Sequence, residues 1–175
     1  MTVAFLVLLA LVGLERIAEL IVSLRNARWS SARGGIETGQ GHYPFMVALH
    51  TGLLVGAGIE VVVAHRAFVP ALGWPMLALV LASQGLRWWC ISTLGPRWNT
   101  RVIVVPGISL VTSGPYRWLR HPNYVAVIVE GFALPLVGSA WITACIFTVL
   151  NLPLLAVRRR VEEQSLADAV AVATL

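Results

Sequence analysis

The chain has 175 residues, of which 58% are hydrophobic and only 12% are charged. A soluble domain carries about 25% charged residues, so this composition excludes an ordinary soluble domain and indicates an integral membrane protein. The formal net charge of +5 comes from 13 basic residues, all arginine, and in a membrane protein such residues indicate topology rather than a nucleic-acid partner.

Five apolar segments predict an all-α membrane protein with about five transmembrane helices in one membrane domain. Pro44 opens the second segment, at a position that proline favours in a helix. The link GSAW, residues 138–141, is so short that the last two helices should form a hairpin. The predicted spans cover residues 2–24, 44–64, 70–94, 122–140 and 141–157.

The arginines are divided unequally between the two sides of this bundle. Ten lie in the first loop (25–43), the third loop (95–121) and the tail (158–175), whereas the opposite side carries only Arg66. Because cytoplasmic loops are enriched in basic residues, we expect these three segments to face the cytosol. The N-terminus then lies outside the plasma membrane.

The third loop should be compact, since two short β-prone runs flank Pro106-Gly107, which suggests a turn and a small hairpin. Cys90 and Cys145 lie at different predicted depths in the membrane and are expected to stay free thiols. The four histidines fall in separate segments without the spacing of metal ligands, so no metal site is predicted.

Ionisable residues occur inside the predicted spans, where they are expensive and therefore candidates for function. Glu15, His50 and Glu130 lie in three different helices, at roughly 9–13 Å from the cytosolic end for a rise of about 1.5 Å per residue. Two interpretations stay open. Arg16 and Arg87 neutralise the acidic residues so that the helices pack, or these groups line a cavity that opens to the cytosol.

The segment TSGPYRWLRHPNY, residues 112–124, concentrates polar residues just before the fourth helix. Pro122 suits the first helical position, which places His121 where free N–H groups and the positive end of the helix dipole face the cytosol. Arg120 adds positive charge and Tyr124 adds an aromatic ring. Together they suit a compact ligand with a carboxylate and an aromatic base.

A second polar segment, RRRVEEQSL at residues 158–166, follows the last predicted span. Acidic residues on the basic side of a membrane protein contribute nothing to orientation. Glu162 and Glu163 therefore either meet a cationic group, such as an amino group, or pair with arginines of the loop.

In GPYRWLRHPNY (114–124), Gly131 and RRRVEEQSL (158–166), the chain resembles the isoprenylcysteine carboxyl methyltransferase family. The resemblance covers about residues 95–166. It implies an enzyme that binds S-adenosylmethionine between the third loop and the C-terminal segment and releases S-adenosylhomocysteine. By this resemblance the cofactor-binding residues are Tyr116, Arg120, His121, Pro122, Tyr124, Glu162 and Glu163.

The segments RNARW (25–29) and RGGIETGQGHYPFMVALH (33–50) resemble a bacterial branch that O-methylates alkylpyrones and alkylresorcinols made by type III polyketide synthases. This resemblance implies methyl transfer to an oxygen of a lipophilic small molecule that partitions into membrane lipid. Prenylcysteine carboxyl methylation, phospholipid N-methylation and a non-catalytic membrane scaffold stay open as alternatives. After RRRVEEQSL the sequence reads ADAVAVATL, whereas family tails often continue with a stretch that contains glycine and tyrosine.

The chemistry of the methyl acceptor determines whether the reaction needs a general base. A pyrone enol or a carboxylate arrives as an anion, whereas a resorcinol hydroxyl would benefit from a general base. The sequence does not choose among the candidates for that base, which are Glu15, His50, Glu130 and His121. It also leaves the oligomeric state open.

Overall fold

The computed structural model describes residues 1–173, with side-chain surroundings as far as residue 169. Five long helices account for most of these residues, which confirms the predicted all-α class. They are α1 (Thr2–Ser31), α2 (Tyr43–Val63), α3 (Pro70–Leu94), α4 (Pro122–Val137) and α5 (Trp141–Ala173).

Two helices are longer than the apolar segments that predicted them. The helix α1 continues past residue 24 to Ser31, and α5 continues past residue 157 to Ala173. The α5 extension is rich in arginine, glutamate and alanine, and the α1 extension, RNARWSS, holds two arginines and an alanine. These residues favour helices whether or not they are apolar. In both cases the apolar segment therefore ends before the helix does. Conversely, α4 ends at Val137, three residues before the predicted boundary.

The helices alternate in direction, so the bundle has two distinct ends. At one end, here called the loop end, α1 and α3 finish, α2 and α4 begin, and α5 runs past the bundle. Residues 32–42 and 95–121 connect helices at this end. The opposite end, here called the far end, holds only the short links 64–69 and 138–140.

Within the described residues, two helical stretches are long and apolar enough to cross a membrane, Gln40–Val63 and Trp141–Ala169. The helix α4 has 16 residues, about 24 Å at 1.5 Å per residue, which is less than a hydrocarbon core of about 30 Å. It lies against α3 and α5 with most of its residues buried. Five membrane spans therefore stay a prediction.

The outer surface of the bundle is nevertheless strongly apolar. Large apolar side chains are exposed along most of α1 and on outward faces of α2, α3 and α5, among them Leu11, Leu14, Ile59, Leu81 and Val149. Soluble proteins rarely expose contiguous apolar surfaces of this kind, because such surfaces drive association or membrane binding. The exposed band is what a lipid environment would cover.

The interior divides into an apolar half and a polar half. Toward the far end, Phe5 and Leu9 of α1 pack with Val61 of α2, Val80 of α3 and Leu134 of α4 in the main hydrophobic core. Toward the loop end, the buried side chains include charged and amide groups: Glu19, Arg87, Glu130, Asn151 and Arg158.

The loop end also carries a small antiparallel sheet of β1 (Ile36–Thr38) and β2 (Val102–Val104), in which Glu37 lies opposite Ile103. The sequence predicted instead that the β-prone runs around Pro106-Gly107 would pair with each other. Gly107 does form a turn, with φ of 77°, but β2 pairs with the first loop. Local patterns cannot reveal such pairing between distant segments.

Candidate functional site

A cavity of about 650 Å³ lies at the loop end, between residues 97–112, the start of α4 and the loop-end part of α5. This volume is in the range of pockets that hold small molecules and cofactors. Both polar segments that the sequence singled out contribute to its wall. Six of the residues predicted to bind a cofactor line it: Tyr116, Arg120, His121, Tyr124, Glu162 and Glu163.

The start of α4 positions two of these side chains. His121 has non-helical dihedral angles (φ −131°, ψ 63°) and immediately precedes Pro122, the first residue of the helix. Pro122 is fully buried, so it anchors the helix start beneath the cavity wall and does not line the cavity. Because Tyr124 follows one turn later, its ring stacks on the His121 ring, with centroids 5.3 Å apart and planes inclined by 14°.

The acidic pair of α5 reaches this helix start because α5 continues as one helix past its apolar part. The Tyr124 hydroxyl donates a hydrogen bond to Glu162. The His121 Nε2 atom lies 3.1 Å from a Glu163 carboxylate oxygen, and Arg159 approaches the same oxygen at 3.6 Å. The two motifs, about 40 residues apart in sequence, thus form one contact network.

Arg158 belongs to this network, although the sequence analysis counted it only as a topology signal. Its side chain is buried, its Nε atom donates to the Tyr124 hydroxyl at 3.2 Å, and its Nη1 atom lies 3.1 Å from the Met46 sulfur on α2. It also lines the cavity. The signal that could have identified it is its spacing of seven residues from Asn151 on the same face of α5.

Tyr116 lines the cavity from a short 3-10 turn, residues 114–117, that packs on α3. Gly114 has φ of 57° and lies so close to Thr93 that a Cβ atom would overlap that side chain. Burial raises the pKa of the Tyr116 phenol well above its usual range, and the neighbouring Cys90 adds to this. Tyr116 is therefore a neutral hydrogen-bonding group at physiological pH.

The predicted bases Glu15 and Glu130 lie elsewhere, in a buried ion cluster between α1, α3 and α4. The Arg87 Nη2 atom lies 2.7 Å from a Glu130 oxygen, and Arg16 approaches Glu15 at 3.3 Å and Glu130 at 3.8 Å. Glu15 also accepts hydrogen bonds from Gln84 and Trp88. This arrangement agrees with the interpretation that the charges neutralise each other in the packed bundle.

His50, the third candidate base, packs on α5 instead. Its Nδ1 atom lies 2.8 Å from the Met46 carbonyl oxygen, and its ring meets the Phe147 ring edge-on, with centroids 5.2 Å apart. Glu15 and Glu130 therefore share the ion cluster, whereas His50 makes its hydrogen bond and ring contact outside it. Cys90 and Cys145 are free thiols, and in the described part of the chain no three His, Cys, Asp or Glu side chains are grouped as metal ligands would be.

Comparison with known proteins identifies the family to which the chain is similar. The model of the isoprenylcysteine carboxyl methyltransferase (ICMT) family matches residues 76–168, which include most of the cavity wall. The chain is 37% identical over 165 residues to the uncharacterized protein YpbQ of Bacillus subtilis, covering 94% of this chain and 97% of that protein. It is 26% identical over 155 residues to an uncharacterized protein of Haemophilus influenzae, covering 87% and 88%. No solved structure matches.

Proposed function

Because this chain belongs to the isoprenylcysteine carboxyl methyltransferase family, we propose that it transfers the methyl group of S-adenosylmethionine to an oxygen of a lipophilic acceptor. The family supports a methyltransferase associated with membranes. The observation that carries the proposal is the cavity at the loop end, where the RHPNY segment and the Glu162–Glu163 pair form one wall.

The groups around this cavity fit S-adenosylmethionine by their chemistry. The carboxylates of Glu162 and Glu163 suit its ammonium group or its positively charged sulfur. Arg120 and the start of α4 suit its carboxylate, because a helix N-terminus attracts anions. The stacked rings of His121 and Tyr124 offer an aromatic surface for adenine.

When bound, S-adenosylmethionine supplies a methyl group already activated on a positively charged sulfur, so the chain's task is alignment. Positioning two reactants is worth up to about 7–11 kcal/mol in well-oriented systems. The contacts of Glu162 with Tyr124, and of Glu163 with His121 and Arg159, hold the acidic wall in place before any ligand binds. Tyr116 keeps its proton and offers a neutral hydroxyl at the same wall.

We further propose that the acceptor is an alkylpyrone or an alkylresorcinol, with its alkyl chain in the lipid and the cavity facing the cytosol at the plasma membrane. The resemblance of residues 25–50 to the branch that modifies such polyketides supports this choice. The exposed apolar band around the bundle supports a site that meets its acceptor in the membrane. The basic residues of the loop end support the cytosolic orientation.

Cofactor binding tests this proposal. The purified protein in detergent should bind S-adenosylmethionine or S-adenosylhomocysteine in isothermal titration calorimetry. His121→Ala and Glu163→Ala should each weaken binding roughly tenfold or more, because a hydrogen bond to a charged group contributes about 1.5–3 kcal/mol. Arg160→Ala is the matched control, since Arg160 is exposed on the same helix and lies outside the cavity wall.

Two results would contradict the proposal. If the wild-type protein binds neither compound, the chain has the family's fold without its cofactor, as a non-catalytic scaffold would. If both variants bind like the wild type, the cavity wall described above is not the cofactor site.

A further inference from the structure

The last part of the third loop does not stay beyond the end of the bundle but folds back along the side of α3. Gly114 lies against Thr93, one residue before α3 ends at Leu94. Four residues later in the chain, the Trp118 ring meets the Trp89 ring edge-on, with centroids 5.7 Å apart. Trp89 lies about 7–8 Å before the end of α3, at 1.5 Å per residue. The chain therefore descends along α3, toward the middle of the bundle, as it approaches α4.

The lengths of the two neighbouring helices agree with this descent. The helix α3 has 25 residues and α4 has 16, which correspond to about 38 Å and about 24 Å. The hydrocarbon core of a bilayer is about 30 Å thick, and its headgroup layers raise the total to about 40–45 Å. In a bilayer that covers the exposed apolar band, residues 114–121 therefore lie at the level of the headgroups on the loop-end side.

The side chains of residues 117–120, here called the RWLR segment, suit that level. Trp118 is 68% exposed and Leu119 is 42% exposed, although both are large apolar residues in a loop. Arg117 beside them is also exposed, and it pairs with no carboxylate among the described residues. Tryptophan is enriched where membrane and water meet, and arginine extends its charged end toward phosphates while its stem stays among apolar groups.

Exposed tryptophans also mark the opposite end of the bundle. Trp74 lies in the first turns of α3 and Trp141 begins α5, both at the far end, and both are more than half exposed. The exposed apolar band lies between this pair and the pair of Trp89 with Trp118. Two levels of tryptophan on either side of an apolar band are the pattern of a protein held between two membrane interfaces.

The charges of the loop end select the kind of lipid. Arg66, at the far end, is paired with Glu60 at 2.9 Å. At the loop end, by contrast, most exposed arginines pair with no carboxylate among the described residues: Arg25, Arg28, Arg33, Arg97, Arg117, Arg120 and Arg160. An excess of positive charge at one end attracts lipids with a net negative headgroup more strongly than zwitterionic lipids.

We propose that the RWLR segment is a membrane-interface anchor that binds an anionic phospholipid. Trp118 and Leu119 insert beside the upper part of the acyl chains, and Arg117 binds the negatively charged headgroup. Arg120 of the same segment lines the cavity, so the bound lipid lies next to the cavity wall and holds the start of α4 at the membrane surface. This inference does not depend on the proposed methyl transfer.

The position of the segment relative to the membrane is the first test. In a background in which Cys90 and Cys145 are replaced by alanine, Leu119→Cys, which keeps Trp118, and Gln164→Cys each carry a nitroxide spin label in lipid nanodiscs. The label at position 119 should be accessible to oxygen, which concentrates among acyl chains, and shielded from a polar nickel chelate. Position 164 is exposed on the polar part of α5 and should be open to the chelate. Equal access of the chelate to both positions would overturn the anchor.

The choice of lipid is the second test. The wild-type protein is reconstituted in vesicles that mix brominated phosphatidylglycerol with ordinary phosphatidylcholine, and in the converse mixture. Bromine quenches tryptophan fluorescence on contact, and the difference between the wild type and Trp118→Phe isolates the signal of Trp118. We expect phosphatidylglycerol to be preferred beside Trp118 roughly fivefold, since one arginine near an anionic surface contributes about 1 kcal/mol.

A charge-matched pair of variants shows whether the RWLR segment itself binds the lipid. Arg117→Gln should remove most of the preference, whereas Arg160→Gln, which removes the same charge from the polar part of α5, should leave most of it. Because both side chains are exposed, Tm should stay unchanged in both variants. If the two variants lose the preference equally, the attraction belongs to the loop end in general. If the wild type shows no preference, or neither lipid quenches Trp118, the segment does not bind anionic lipid. Each of these results overturns the proposal.

Discussion

Arg87 shows how a single residue makes this bundle possible. It is 6% exposed, and its guanidinium lies 2.7 Å from Glu130 and 3.6 Å from Glu19. Removing such charges from water is expensive, and only close pairing offsets that expense. Since Arg87 is on α3, Glu19 on α1 and Glu130 on α4, the residue also fixes how three helices are rotated relative to one another.

Arg87→Met should therefore destabilise the protein by about 3–5 kcal/mol, the usual effect of leaving a buried charge unpaired. Unfolding in detergent, monitored by circular dichroism, measures this loss of stability. The double variant Arg87→Met with Glu130→Gln should recover part of it, because one of the stranded carboxylates is then neutral. If Arg87→Met alone is as stable as the wild type, water or Arg16 already compensates the charge of Glu130.

At the scale of residues, the sequence predicted the cavity wall better than it predicted the interior. His121, Tyr124, Glu162 and Glu163 stand out because each follows a local signal, a proline at a helix start or an acidic pair on a basic side. Asn151 gave a weaker signal, as a polar residue inside a predicted span. Its burial depends on which face of α5 meets the other helices, and hydropathy alone does not reveal that face.

At the scale of elements, α4 and α5 are held close together by Gly131. A Cβ atom at this position would overlap the Phe147 ring, and that ring in turn contacts His50 on α2. The glycine is therefore required by space rather than by backbone conformation. It lets α5 approach α4 and sets the position of an aromatic ring that packs between α4 and α2.

Gly131→Ala should destabilise the protein by about 1–3 kcal/mol, the usual effect of inserting a methyl group into a packed interior. It should also lower turnover, because the displaced Phe147 ring moves His50, one of the candidate bases. Thermal unfolding and methyl-transfer assays would be run together. Gly131→Ala combined with Phe147→Leu should recover stability, since leucine vacates the space. If the double variant is no more stable than Gly131→Ala, the strain does not arise at the contact between residues 131 and 147.

The elements themselves were predictable where proline marks a boundary. The helices α3 and α4 begin at Pro70 and Pro122, as predicted, because proline fits the first turn and breaks any preceding helix. The pairing of β1 with β2 was not predictable, since 63 residues, including α2 and α3, separate the two strands in the sequence. The continuation of α5 beyond residue 157 was not predictable either, because its residues are polar and hydropathy placed them in a tail after the helix.

At the scale of the whole molecule, the arginines that gather at the loop end predict which end of the bundle faces the cytosol. Cysteine labelling tests this in a background in which Cys90 and Cys145 are replaced by alanine. Arg160→Cys, exposed at the loop end, should react with a membrane-impermeant maleimide in inverted vesicles only. Ala67→Cys, exposed at the far end, should react in right-side-out vesicles only. The reverse pattern would place the cavity outside the cell.

The hydrogen bond between Thr38 and Ser165, 2.7 Å long, joins residues 127 positions apart in the chain. It ties the first loop, and through β1 the third loop, to the polar part of α5. In chain order, residues 158–166 follow every other segment that lines the cavity. The cavity wall is therefore completed only when these residues have been synthesised, so we expect a chain truncated before residue 158 to lack cofactor binding even where its first four helices fold.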